Sequence, residues 1–180
     1  MTTSGQDREP MRNRAGTMVY GSFRERPASK IRLSPFFRAL QAGSWLIAVG
    51  LPIYFLVAIR RYDGEVPMHF DFTGNVTRTG PATEAIITLV TTALCVIGLL
   101  VLARYPRILN FPVMLTEDNV QQQYRYGIEL MTWVAAACAG IMVVMAFAQL
   151  SGWSINWIWW PLGGMFVAIG YYIWRMLKAQ

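Results

Sequence analysis

The sequence predicts an all-α membrane protein with four transmembrane helices, both termini cytoplasmic, and a disordered basic N-terminal tail. Three observations carry that prediction. Of 180 residues, 54% are hydrophobic and only 14% charged, whereas an ordinary soluble domain carries about 25% charged residues. Four segments, about 42–60, 84–104, 127–150 and 155–176, are apolar over the roughly 20 residues that a helix needs to cross the hydrocarbon core. Lys and Arg are unevenly placed: thirteen fall before the first span, around the loop after the second, or beyond the fourth, against three (Arg60, Arg61 and Arg78) on the other side. Because these residues are retained in cytoplasmic loops, both termini are assigned to the cytoplasm.

The chain divides into a flexible cytoplasmic tail, residues 1–33, and a four-helix domain, residues 34–180. The tail is rich in Ser, Thr, Gly, Arg and Pro and buries too little apolar surface to offset its ordering entropy. It is also too long and too basic for a cleavable signal peptide, so the first span is expected to stay. Ser34-Pro35 reads as an N-cap followed by proline at the first helical position. Gly50 and Pro52 predict a kink within the first span.

Span two, and the other spans likewise, are read as free of ionisable side chains between their ends, which argues against a proton pump or proton-coupled carrier. Thr88, Thr91, Thr92 and Thr132 are expected to donate hydrogen bonds between helices. Thr116, with Glu117 and Asp118 behind it, is expected to cap helix three, whose first turns would then stand outside the membrane. Trp153, Trp157, Trp159 and Trp160 read as one interfacial belt and Tyr171, Tyr172 and Trp174 as the other. Gly163, Gly164 and Gly170 are expected to let helices approach closely. Cys95 and Cys138 lie inside spans and read as small core residues, without a zinc-type spacing.

Chemistry is sought first in Pro67-Met68-His69-Phe70-Asp71-Phe72-Thr73-Gly74, a polar segment between two spans that holds the only histidine. In an extended segment His69 and Asp71 share a face. A metal site would need further ligands, for which the same side offers Asp63, Glu65 and Glu84, and one histidine is a thin basis for zinc. The alternative is that His69 and Asp71 bond loop backbone while Phe70 and Phe72 rest on the membrane surface. Pairing with Glu117 and Asp118 is excluded by the bilayer between them, about 30 Å thick. Gly74 and Gly80 read as turn residues with positive φ. No catalytic residues, metal or cofactor are expected.

The loop Pro67-x-His69-Phe70-Asp71-x-x-Gly74, followed by Tyr105-Pro106-Arg107, Asn110-Phe111-Pro112 and Thr116-Glu117-Asp118-Asn119 with Gln123-Tyr124, resembles the membrane family known as domain of unknown function 1648. That domain also forms the N-terminal part of immunity proteins against a sporulation-delaying bacterial toxin. The resemblance covers about Trp45 to Tyr124 and implies a multi-pass protein of the bacterial cytoplasmic membrane. It marks Pro67, His69, Phe70, Asp71 and Gly74 as a recognition loop and Tyr105, Pro106, Asn110, Pro112, Thr116, Glu117 and Asn119 as a cytoplasmic motif. The additional spans of the full immunity proteins are not matched in the C-terminal half.

The function expected is that of a non-enzymatic membrane protein working through partners, as an accessory subunit or an immunity or signalling component. The partners expected are the lipid bilayer and another membrane protein or a second copy, with no nucleic acid. A small transporter component and a metal-assisted hydrolase using His69 are the alternatives.

Overall fold

A computed structural model describes residues 11–14, 16–60 and 64–180. Asp63, among the metal-ligand candidates, and Arg61, in the charge comparison, lie outside the described residues, as do residues 1–10 of the tail. The described chain is mostly helical, with α1 (Pro35–Ile59), α2 (Ala82–Leu102), α3 (Val120–Ser151) and α4 (Trp159–Lys178). Between α1 and α2 stands an antiparallel hairpin of β1 (Glu65–Phe70) and β2 (Val76–Pro81), so the expectation of an all-α chain is corrected. Three helices, α1, α2 and α3, are long and apolar enough to cross a membrane, with mean hydropathies of 2.0, 2.7 and 2.2.

The fourth expected span differs from these. It opens with a 3₁₀ turn, Ile155–Ile158, before α4 begins at Trp159. Its 20 residues reach roughly 30 Å, the thickness of a hydrocarbon core. Aromatic residues and the terminal Arg175 and Lys178 keep it outside the set of three.

Local signals account for the helix ends. The Ser34 hydroxyl accepts from the Phe37 amide at 3.5 Å and Pro35 occupies the first turn, as predicted. Helix α1 then runs on through Pro52. Helix α2 starts after Pro81 with Glu84 in its first turn, at the positive end of the helix dipole. Helix α3 starts at Val120 rather than Thr116, because Thr116 and Asn119 bond each other reciprocally in a turn just ahead of it: the Asn119 side chain accepts from the Thr116 amide at 2.9 Å, and the Thr116 hydroxyl from the Asn119 amide at 3.3 Å. It ends at Gly152, whose φ of 65° only glycine adopts without strain.

Helix α3 packs against each of the other three helices. Between it, α1 and α2 lies a core in which Phe55, Val96, Leu100 and Met142 fill the space left by Ala48, Ala93, Ala135 and Ala139. Small residues bring the backbones together, and large ones then interdigitate. Close approach to α4 occurs at Gly140 of α3, where an added Cβ would stand 3.1 Å from Pro161. The expectation for Gly163, Gly164 and Gly170 is corrected, since each of these faces open space.

Hydroxyl bonding also departs from expectation. Thr88, Thr91 and Thr92 donate to carbonyls four residues earlier in α2, at 3.3, 2.8 and 2.9 Å, the local alternative always open to threonine in a helix. Thr132 donates to Ile128 at 2.8 Å and accepts from Gln41 Nε2 of α1 at 2.9 Å. It alone of the four joins two helices among the described residues. Cys95 is exposed and Cys138 half-buried, both free, so Cys95 is not a core residue of this chain.

Candidate functional site

The two sequence motifs lie at opposite ends of α2, whose 21 residues span roughly 32 Å at about 1.5 Å each. One end carries the hairpin and the start of α4. The other carries the segment before α1, the loop from 103 to 119, and the end of α4. His69 and Asp71 are therefore remote from Glu117 and Asp118, as the order of helices requires.

At the hairpin end, Val66 is fully buried and Met68 packs on the same core, while Phe70 packs with Val144, Ala148 and Ile155. These alternate residues form the inward face of β1. Phe70 thus belongs to the interior, and only Phe72, 81% exposed, points outward, its ring 5.1 Å from that of Trp159. The register shifts on both sides of His69, which is exposed and lies 2.6 Å, Nδ1 to Oγ1, from Thr77 on β2. His69 bonds across the hairpin to a side chain, not to loop backbone.

Asp71 closes the hairpin. Its Oδ1 accepts from the Thr73 hydroxyl at 2.7 Å, the Asn75 amide at 2.8 Å and the Thr73 amide at 2.9 Å; Oδ2 accepts from Asn75 Nδ2 at 3.1 Å. These donors, led by the Thr73 hydroxyl, favour the carboxylate and hold its pKa at about 2, below the usual 3.8. Gly74 has φ 94°, and an added Cβ would meet the Asn156 side chain at 2.9 Å. Asn156 Nδ2 in turn donates to the Thr73 carbonyl at 3.1 Å, fastening the hairpin tip to the turn before α4. Gly80 has no positive φ; it is buried in β2, where an added Cβ would stand 3.1 Å from the Met68 side chain. That glycine serves close packing, not a turn.

Nothing gathers around His69 and Asp71. Asp71 is committed to its own turn, Glu65 to Thr79, and Glu84 to Arg78 at 3.0 Å. Ser154 accepts from the Asn156 amide at 3.3 Å. Among the described residues no three His, Cys, Asp or Glu side chains are grouped as metal ligands.

The other end brings the second motif together with the N-terminal segment. Val19 pairs with Thr116 as an antiparallel bridge, the Tyr20 amide donates to the Leu115 carbonyl at 2.9 Å, and Glu117 donates its amide to the Met18 carbonyl at 3.1 Å. Glu117 Oε1 also accepts from the Met18 amide at 3.3 Å. Arg26 Nη1 donates to the Arg107 and Leu109 carbonyls at 2.7 and 2.8 Å. The Tyr124 hydroxyl donates to the Pro27 carbonyl at 3.1 Å, and Gln121 bonds Ala28 and Lys30. Residues 16–33 are thus seated on the loop rather than free of it, because the loop and the first turns of α3 offer backbone and amide partners.

Within the motif, Pro106 is buried at the start of a 3₁₀ turn, Pro106–Ile108, and Asn119 Nδ2 donates to the Met114 carbonyl at 3.1 Å. Tyr105, Asn110 and Pro112 are exposed. Tyr105 and Pro106 border an open cavity of about 530 Å³ with Arg24, Arg104 and Arg107. Asn110 and Pro112 border another, of about 490 Å³, beside Phe111, Met131 and Ile173.

Deeper lies a group that breaks the reading of uncharged spans. Glu129 of α3 faces the Tyr172 hydroxyl, as does Trp133. Arg175 of α4 donates to the Tyr126 hydroxyl at 3.0 Å and the Tyr171 hydroxyl at 2.9 Å, with its guanidinium 4.5 Å above the Tyr126 ring. Tyr172 is only 5% exposed and so leaves the expected aromatic belt, while Tyr171 and Trp174 stay outside. Gln123, wholly buried, donates Nε2 to the Met176 and Ala179 carbonyls at 2.9 Å each. It satisfies carbonyls that the end of α4 leaves without intrahelical partners.

The class so defined is a helical membrane protein with three candidate spans, a hairpin closing one end and a seated N-terminal segment closing the other. No family model, curated protein or solved structure matches this chain.

Proposed function

We propose that this chain is a four-span, non-enzymatic protein of the bacterial cytoplasmic membrane, with both termini inside, acting through a membrane partner as an accessory subunit or an immunity or signalling component. The observation that carries the reading is where the polar groups are spent. Asp71, His69, Glu65, Thr116, Glu117 and Asn119 all bond within the chain. The helix faces left for interaction are apolar, with Leu46 and Ile53 on α1, Ile87 and Leu94 on α2, and Phe166 and Val167 on α4 exposed. Such faces suit lipid or the helices of a partner.

The fourth span is supported by the length of α4 and by the exposed Trp153, Trp157, Trp159 and Trp160 at its hairpin end, with Tyr171, Trp174, Arg175 and Lys178 at the other, the flanks expected of a helix crossing two interfaces. The family resemblance, with its immunity branch, belongs to the same proposal and rests on the motif residues.

Two measurements test it. Reporter fusions that fluoresce only in the cytoplasm should light up at both Met1 and Gln180, whereas a periplasm-dependent phosphatase inserted at Thr73 should be active. Opposite locations for the two termini would sink the four-span reading. Purification in mild detergent followed by mass spectrometry should then yield a partner or a second copy; a chain that emerges alone under all conditions counts against the partner role.

A second reading, a small transporter component, draws on Glu129. An ionisable group within a candidate span is a common mark of an ion pathway. If it moves protons, reconstituted protein should acidify liposomes down a proton gradient and Glu129→Gln should abolish that flux; equal flux in protein-free liposomes removes the reading. The hydrolase reading has least support, because Asp71 and His69 bond separate partners.

A further inference from the structure

The cavity between the seated N-terminal segment and the 3₁₀ turn is bordered by three guanidinium groups and no carboxylate. Arg107 donates one nitrogen to the Arg24 carbonyl at 3.2 Å, which fixes the two residues side by side. Arg24 leans over the Phe23 ring at 5.9 Å. The Arg104 guanidinium makes no hydrogen bond or ion pair with any described residue. The Ser29 hydroxyl, which accepts from the Ile31 amide at 3.4 Å, keeps its proton to donate, and the Tyr105 hydroxyl has no partner among the described residues. Nearby acids are spent elsewhere: Glu25 accepts from the Gly21 and Ser22 amides, and Glu117 binds Met18.

Three like charges around one hollow repel each other until an anion enters. The carbonyl end of α2 lies beside the site, but it amounts to only about half a negative charge, well short of three guanidinium groups. Arginine presents a planar fork of donors matched to phosphate oxygens. The hollow, about 530 Å³, falls within the usual range for small-molecule pockets, about 300–1,000 Å³. Phe23 gives it an apolar wall, so that the occupant joins an anionic head to a less polar body.

We propose that this cavity binds a phosphate-bearing ligand, with Arg24, Arg104 and Arg107 on the phosphate and Ser29 and Tyr105 as further donors. On the orientation proposed above, the site opens where α2 leaves the cytoplasmic face of the bilayer, within reach of anionic headgroups. The same chemistry suits a soluble phosphate compound.

The test uses the full chain in lipid nanodiscs, and its two arms separate the sources. In discs mixing phosphatidylglycerol with phosphatidylcholine, native mass spectrometry should find phosphatidylglycerol retained on the protein. In pure phosphatidylcholine discs, phosphorus NMR should detect inorganic phosphate binding if the ligand is soluble. Whichever arm is positive, Arg104→Gln should weaken binding about tenfold, the scale expected from losing one charge-assisted hydrogen bond, while Arg125→Gln, an exposed charge on α3 outside the cavity, should leave it unchanged. Should Arg104→Gln unfold by circular dichroism, Arg24→Gln takes its place. Binding in neither arm, or equal loss with Arg125→Gln, overturns the site. The reporter fusions decide the membrane orientation separately, so the two proposals fail by different readouts.

Discussion

Single residues at the two ends do most of the local fastening, and two are open to direct tests. The Asp71 carboxylate is held at a pKa of about 2 against an unfolded value of 3.8 by its Thr73 and Asn75 donors. With the folded value below the unfolded one, its contribution to the hairpin is complete above about pH 4 and fades as pH falls through about 2. A carbon-13 titration of the Asp71 carboxyl should show a midpoint near 2; a midpoint at 3.8 or above would contradict the bonding described. Gln123→Leu removes two bonds to the end of α4 and leaves buried carbonyls unmet, a cost of about 1–3 kcal/mol. Thermal unfolding in detergent should register the loss, and hydrogen exchange should rise at Ala179, whose amide bonds the Arg175 carbonyl. Neither effect was evident from sequence. The partners of Gln123 stand more than 50 residues away, and no local pattern encodes such a meeting.

Elements were legible where their signals are local. Ser34-Pro35, the long apolar runs of α1, α2 and α3, and the separation of the two motifs were all readable from neighbouring residues. The hairpin escaped, although Val66, Met68 and Phe70 alternate with Glu65, Pro67 and His69 ahead of Asp71-Phe72-Thr73-Gly74, the period of two that marks a strand before a turn. Glycine packing escaped for another reason: composition reveals which helices carry glycine, but only the packed helices reveal which glycine faces a neighbour. Gly140→Leu should therefore cost about 1–3 kcal/mol by overpacking against Pro161. Gly164→Leu, facing open space, should leave the melting temperature in detergent almost unchanged. Gly74→Ala should destabilise the hairpin by about 1–2 kcal/mol, because its backbone lies at positive φ. Adding Asn156→Ala should relieve the steric part while leaving the backbone part, which a double-mutant cycle on unfolding would separate.

The described residues place apolar side chains on both the inside and the outside of the helices, and most of the charged side chains toward the two ends. Removal of detergent should therefore precipitate the purified chain, and light scattering during dialysis would detect this; a clear monomeric solution would overturn the membrane reading. The seating of residues 16–33 has a consequence for synthesis. Its hydrogen bonds join residues separated by 81 to 99 positions, so the N-terminal segment emerges from the ribosome long before its seat does. At about 5–20 residues per second, it waits roughly 5–20 seconds for the loop and the first turn of α3. The arginine-lined hollow is thus a late product of assembly, absent from every nascent chain that has not yet delivered both of its walls.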